Sequence, residues 1–189
     1  PRGVTQAQKA GEWLRAYRAK LVREALAALR PDASEAEIAE AIHDAWRGYT
    51  SSFVRPIETM GHLGLGLRWV PYPGLIERNW AQYEKASPED QRKFKERKRR
   101  DPLHAKAHSS QSIGELREST HTFLQKLHRE HTDDTVIAVC HGERMLMIRY
   151  ILERMTEEQF RALVSSRHTG DKIRNCQILE YTRLNPETG

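Results

Sequence analysis

Cysteine is scarce in this chain, with two residues, Cys140 and Cys176, among 189. Both lie in apolar, strand-like stretches, so a disulfide scaffold is excluded and a reducing compartment is expected. No apolar run is long enough to span a bilayer. No signal-peptide pattern opens the chain, and a cytoplasmic location is the expectation. Repeats and low-complexity linkers are missing too, which leaves one domain over residues 1–189. Acidic charge falls short of basic: 26 Asp and Glu face 31 Lys and Arg, a net charge of +5. Anionic partners fit that balance. Hydrophobic residues at 38% and charged ones at 30% describe a globular protein with a real core and a heavily charged surface.

What is there alternates between helical and extended patterns. Val4, Ala7, Ala10, Gly11 and Leu14 open a helix whose spacing continues to Arg30, where Pro31 ends it. Ser34 and Glu37 form a capping box for a helix over 35–46. Tyr49 to Val54 reads as a short strand, and Pro56 starts the next helix. Leu67 to Ile76 is extended, and Pro71 and Pro73 confine it to a sheet edge. Ser87-Pro88 starts a helix running through Arg92–Arg100. Residues 101–110 read as a loop, and Ser112 with Glu115 caps a helix striped by Ile113, Leu116, Phe123, Leu124 and Leu127. Thr135–Cys140 is the most apolar run and reads as a buried parallel strand. A helix over 143–154 follows it, then a short helix starting at Thr156, a loop over 167–172 and a last strand, Cys176–Thr182. This order predicts a three-layer α/β/α domain with a mostly parallel central sheet.

Three residues at predicted strand ends carry chemistry. His141 follows the apolar strand, and the helix beginning near Glu143 aims free N–H groups at its surroundings. Gly142 ends the strand and lets a ligand approach the backbone. Arg55 lies past another strand, where a guanidinium binds phosphate oxygens bidentately. Glu77 follows the third, and a carboxyl among apolar groups serves as a proton donor. In each case the plain alternative is structural: a histidine in a turn, a surface arginine, a solvated Glu77–Arg78 pair.

Together the motifs resemble the histidine phosphatase superfamily, the phosphoglycerate-mutase-like proteins, over nearly the whole chain. Pro1-Arg-Gly-Val-Thr-Gln-Ala resembles the segment after the family's first motif. Ser52-Phe-Val-Arg55-Pro-Ile-Glu58-Thr59 is similar to its arginine-bearing motif. Ile76-Glu77-Arg78-Asn79-Trp80 is similar to the motif with the proton-donor glutamate, and Val139-Cys-His141-Gly142-Glu143 to the second histidine motif. Asn175-Cys176 resembles the late segment.

The resemblance implies a phosphatase or mutase working through a phosphohistidine on a small phosphorylated substrate, without metal or cofactor. His141 would be the second histidine, Arg55 a phosphoryl clamp and Glu77 the proton donor, with Gly142, Arg78 and Ser52 as substrate contacts. The nucleophilic histidine sits in an Arg-His-Gly strand that these residues do not contain. The chain opens on Pro1 rather than Met, and the strand is expected upstream of it. The 189 residues alone are then expected to be inactive, with an open strand edge between Thr135–Cys140 and Cys176–Thr182. Arg167-His168 lies in a late loop and is no substitute. Ser110-Gln111-Ser112 replaces the family's Gly-Glu-Ser, which removes a carboxylate from the substrate contacts. Two other readings stand beside this one: a phosphate-ligand binder without turnover, and a nucleic-acid module using Arg92–Arg100. The last is disfavoured by interleaved Glu96 and the lack of an aromatic stacking platform. A homodimer is compatible with everything in the sequence.

Overall fold

The computed structural model describes residues 2–41, 46–80, 83–107, 110–132, 134–166 and 168–183. Seven helices and three strands are described in the order α1 (Arg2–Ala27), α2 (Glu35–Ala41), β1 (Trp46–Thr50), α3 (Val54–Leu63), β2 (Trp69–Pro71), α4 (Pro88–Arg100), α5 (Arg117–Glu130), β3 (Thr135–Val139), α6 (Gly142–Leu152) and α7 (Glu157–Ser165). The sheet is all parallel, with order β2-β1-β3. Helices cover both faces, which is the expected α/β/α layering in a small form.

Alternation along β3 sorts the core into two layers. Ile137 and Val139 face α1 and α3, joining Leu14, Trp46, Leu63 and Leu65. Val136, Ala138 and Cys140 face α5, joining Tyr49, Leu75 and Phe123. A third cluster, built on Ile113, Leu116, Met147 and Phe160, holds α6 and α7 together. α1 meets α3 so closely that Gly11 has no room for a side chain: a Cβ there would lie 2.0 Å from the Leu63 carbonyl oxygen. At Gly48 a Cβ would lie 2.7 Å from the Trp69 ring, which fixes how β2 leans on β1.

Several expectations need correction. The first strand is Trp46–Thr50, not Tyr49–Val54. Trp46 starts that strand instead of ending a helix, and α2 is described only to Ala41. Residues 42–45, within the expected helix, lie outside the described residues, as do 108–109 and Arg167 in the two expected loops. The helical spacing of Ile38, Ala41 and Trp46 hid a strand formed by long-range pairing. β3 is half-buried along its whole length rather than fully buried, and among the described residues only β1 pairs with it. α6 begins at Gly142, one residue earlier than expected, with a φ outside the left-handed region.

The larger correction concerns Cys176–Thr182, where no strand forms. Cys176 turns the chain at φ 56, and Gln177 donates to the Arg174 carbonyl at 3.1 Å. With no ladder of its own, this segment is held by side chains. Tyr17 donates to Glu180, and Tyr181 donates to Glu153 at 2.7 Å. Among the described residues, the side of β3 away from β1 carries no paired strand. β2 lies at the opposite edge, where its one proline, Pro71, is tolerated. Among the described residues no helix is long and apolar enough to cross a membrane.

Candidate active site

Parallel strands put the ends of β1, β2 and β3 on one side of the sheet. Beyond β1 the chain passes through Ser51 and Phe53 into α3, and beyond β3 it passes through His141 into α6. Neither helix has a side-chain cap at its N-terminus: Phe53 and His141 occupy the two cap positions without capping bonds. Two sets of first-turn N–H groups therefore converge, with their positive dipole ends, on this side of the sheet.

Three predicted residues meet here. Beyond β2 a turn of 3-10 helix, Pro73–Leu75, carries the chain to Glu77. The Glu77 carboxylate accepts from the Arg55 guanidinium, and the same oxygen, Oε2, lies 3.6 Å from His141 Nδ1. Arg55 is mostly exposed, whereas the His141 side chain is 4% exposed. An open cation and a buried imidazole thus share one carboxylate. On its other side, His141 Nε2 is 3.0 Å from Ser51 Oγ, and the Phe53 ring stands edge-on to the imidazole at 5.4 Å. Ser51 Oγ also accepts from the Phe53 N–H at 3.3 Å, which ties the serine to the turn. Burial pushes the His141 pKa below the usual histidine value. The Glu77 charge works against that shift, while Arg55 and Arg144 add to it.

The other predicted contacts are placed differently. Gly142 is the first residue of α6, and Ser52 is exposed while its neighbour Ser51 touches His141. Arg78 is 2% exposed. Its Nη2 donates to Glu143 Oε1 at 3.0 Å and its Nη1 to the Gln111 carbonyl at 3.2 Å. Its Nε faces Glu143 Oε2 at 2.5 Å, a charge contact out of line for a hydrogen bond. The guanidinium stacks on Trp80, 3.8 Å from the ring centroid. Burial lowers its pKa, and Glu143 opposes that. Lys98 of α4 completes the group, donating to Glu143 Oε1 at 3.1 Å.

Sequence reasoning missed Ser51, Glu143 and Arg144. Arg144 is buried and ties three elements together. It donates to the Ile76 carbonyl at 2.8 Å, to Thr120 Oγ1 at 2.6 Å and to Ser119 Oγ at 2.9 Å. A cation at the head of the apolar run Met145-Leu-Met-Ile was the available signal, since a buried charge must be partnered. One of these bonds ends beside Glu77 and the other two at α5, so Arg144 sets the height of α6 and hence of His141. Among the described residues, no group of three or more His, Cys, Asp or Glu is arranged to hold a metal ion.

Comparison with known proteins bears on the family and the fold. Among curated proteins none matches the chain. Among solved structures, a mycobacterial glucosyl-3-phosphoglycerate phosphatase complexed with VO3 superposes with a TM-score of 0.57. It is 18% identical, over 84% of this chain and 71% of that one. The same phosphatase with inorganic phosphate gives a TM-score of 0.58 at 14% identity, over 84% and 70%. A structure described as mycobacterial hydrolase 1 gives 0.56 at 18%, over 85% and 71%. At those identities the likeness is one of fold. Residues 1–178 match the pattern of the histidine phosphatase superfamily, branch 1. The chain therefore belongs to the histidine phosphatase superfamily.

Proposed function

We propose that the chain serves phosphoryl transfer, as a phosphohydrolase or phosphoglycerate-mutase-like enzyme using a phosphohistidine and a small phosphorylated metabolite. The observation that carries this reading is one carboxylate, Glu77, in contact with both Arg55 and His141 where two uncapped helix N-termini converge. An entering phosphoryl group would take the Arg55 guanidinium through charge-assisted bonds. That removes a cation from Glu77 and sets an anion beside it, and both changes favour a protonated carboxyl. A protonated carboxyl is what a leaving oxygen needs. The names of the structural neighbours, a phosphatase and a hydrolase, support hydrolysis over mutase chemistry.

The nucleophile in this reading is a second histidine. Among the described residues, no other histidine is hydrogen-bonded or ion-paired to Arg55, Glu77 or His141. We assign it to a strand laid along the open edge of β3, whose end would come beside His141. Its ring nitrogen attacks phosphorus, the ester P–O bond breaks, and Glu77 protonates the leaving oxygen. Water then cleaves the P–N bond. The same lack of a bonded second histidine favours one other reading, a phosphate-ligand binder without turnover. Nucleic-acid binding by α4 has less support, since Lys98 is engaged by Glu143 and Lys93 pairs with Glu89. A cytoplasmic setting belongs to the same proposal.

Assays with p-nitrophenyl phosphate separate the readings. The 189-residue chain is expected to bind orthophosphate yet turn over little or nothing, since loss of a nucleophile costs many orders of magnitude. A peptide with a β-branched run ending in Arg-His-Gly is expected to restore turnover and a phosphohistidine label. Binding without restoration would favour the non-catalytic reading. Robust turnover by the chain alone, lost in His141→Ala, would show that the nucleophile lies within these residues.

A further inference from the structure

Two neighbouring pairs of residues divide their work. Glu77 and His141 face each other in the candidate site, and the residues beside them, Arg78 and Glu143, face each other in the adjoining ion group. Glu143 stands in the first turn of α6, two residues after His141, and binds Arg78 and Lys98 together. One negative charge thus holds two cations: Arg78, the residue after Glu77, and Lys98 from α4. The Arg78 side chain is 1% exposed, stacked on Trp80 and bonded to the Gln111 carbonyl, so its donors point into the protein. Lys98, at 31% side-chain exposure, is the member that could swing outward.

We infer that Glu143 determines specificity: by holding Arg78 and Lys98 in an internal ion triad, it withholds both cations from a second anionic group on the substrate. This rests on the phosphoryl-transfer reading above. The substrate class that follows is a phosphomonoester whose remaining part is uncharged, because a second phosphate or carboxylate beside the triad would meet the Glu143 carboxylate while both cations of the triad are already paired. Like charges brought together at a binding surface suppress the wrong partner. The triad also explains why Arg78 is buried without being lost: Glu143 compensates its charge, and Trp80 and Phe94 supply its packing surface.

Orthophosphate and pyrophosphate are the probes, with affinities measured by titration calorimetry on the full chain. Glu143→Gln keeps the shape of the side chain and removes its charge. It is expected to raise pyrophosphate affinity relative to orthophosphate by about 5- to 20-fold, as a partly screened charge contact would. Lys98→Gln tests the same idea in a chain that keeps the buried Arg78–Glu143 pair, and so does not depend on Glu143→Gln folding. If Lys98 is withheld, pyrophosphate affinity stays within about twofold. A fivefold or larger loss in Lys98→Gln would mean that Lys98 binds the anion, and would overturn the inference. So would an unchanged pyrophosphate-to-orthophosphate ratio in folded Glu143→Gln. Failure of the unsubstituted chain to bind either anion would instead remove the phosphoryl-transfer reading, and this inference with it.

Discussion

His141 is pushed toward its neutral form because its ring is desolvated between Ser51, Phe53 and Glu77, and the Glu77 charge does not fully offset that. The sign of the pH effect follows. The folded-state pKa lies below the ordinary value of 6.5, so as pH falls the unfolded chain takes up this proton first. The stability that goes with the neutral ring is complete above the ordinary value and is lost as pH drops through it toward the lowered one. Thermal melts between about pH 8 and pH 5 should show this as a greater loss of stability in the unsubstituted chain than in His141→Gln. Parallel pH profiles for the two proteins would mean that the ring is not held neutral. In the proposed phosphoryl-transfer role, a neutral imidazole beside a guanidinium would donate to a phosphoryl oxygen without repelling Arg55.

At the scale of elements, α1 and α3 meet at Gly11, the tightest of the described glycine positions. Gly11→Ala should destabilise the protein by about 1–3 kcal/mol, the usual cost of overpacking. The Leu63 carbonyl it would strike is backbone and cannot swing aside. Gly3→Ala, in the same helix but facing open space, should leave stability unchanged or raise it by up to about 1 kcal/mol. Urea unfolding of both variants checks the contrast, and equal midpoints would contradict the packing. Most helices were legible because their signals are local. Ser87 accepts from the Asp90 N–H, Ser112 and Glu115 exchange bonds, and Thr156 and Gln159 form a full capping box. Strands were less legible because pairing is long-range. Nothing local distinguishes Trp46 as the start of β1 from Trp46 as the end of α2, and nothing local shows that Cys176–Thr182 lacks a partner. Of the site, Arg55, Glu77 and His141 stood at strand ends and could be read. Ser51, Glu143 and Arg144 are defined by contacts across the fold, and spacing alone did not single them out.

Over the whole molecule, the sheet is the part with an unpaired strand edge beside the site, among the described residues. β1 is paired on both sides, while β3 is paired only with β1 among the described residues. Edge amides exchange faster than those in a central strand, and an open apolar edge invites pairing with another chain. Hydrogen exchange should therefore show protection along β1 and fast exchange at β3 amides that do not bond to β1. A strand peptide that fills the edge should slow those β3 amides. Uniform protection of β3 in the isolated chain would show that the edge is already covered. In the proposed function Arg55 and His141 act together on one phosphoryl group, and a double-mutant cycle on orthophosphate affinity tests that directly. The prediction is that Arg55→Ala and His141→Ala each weaken binding by about tenfold or more, and that the double variant loses less than the product of the two. Binding that persists unchanged in either single variant, or losses that multiply as for independent sites, would contradict it.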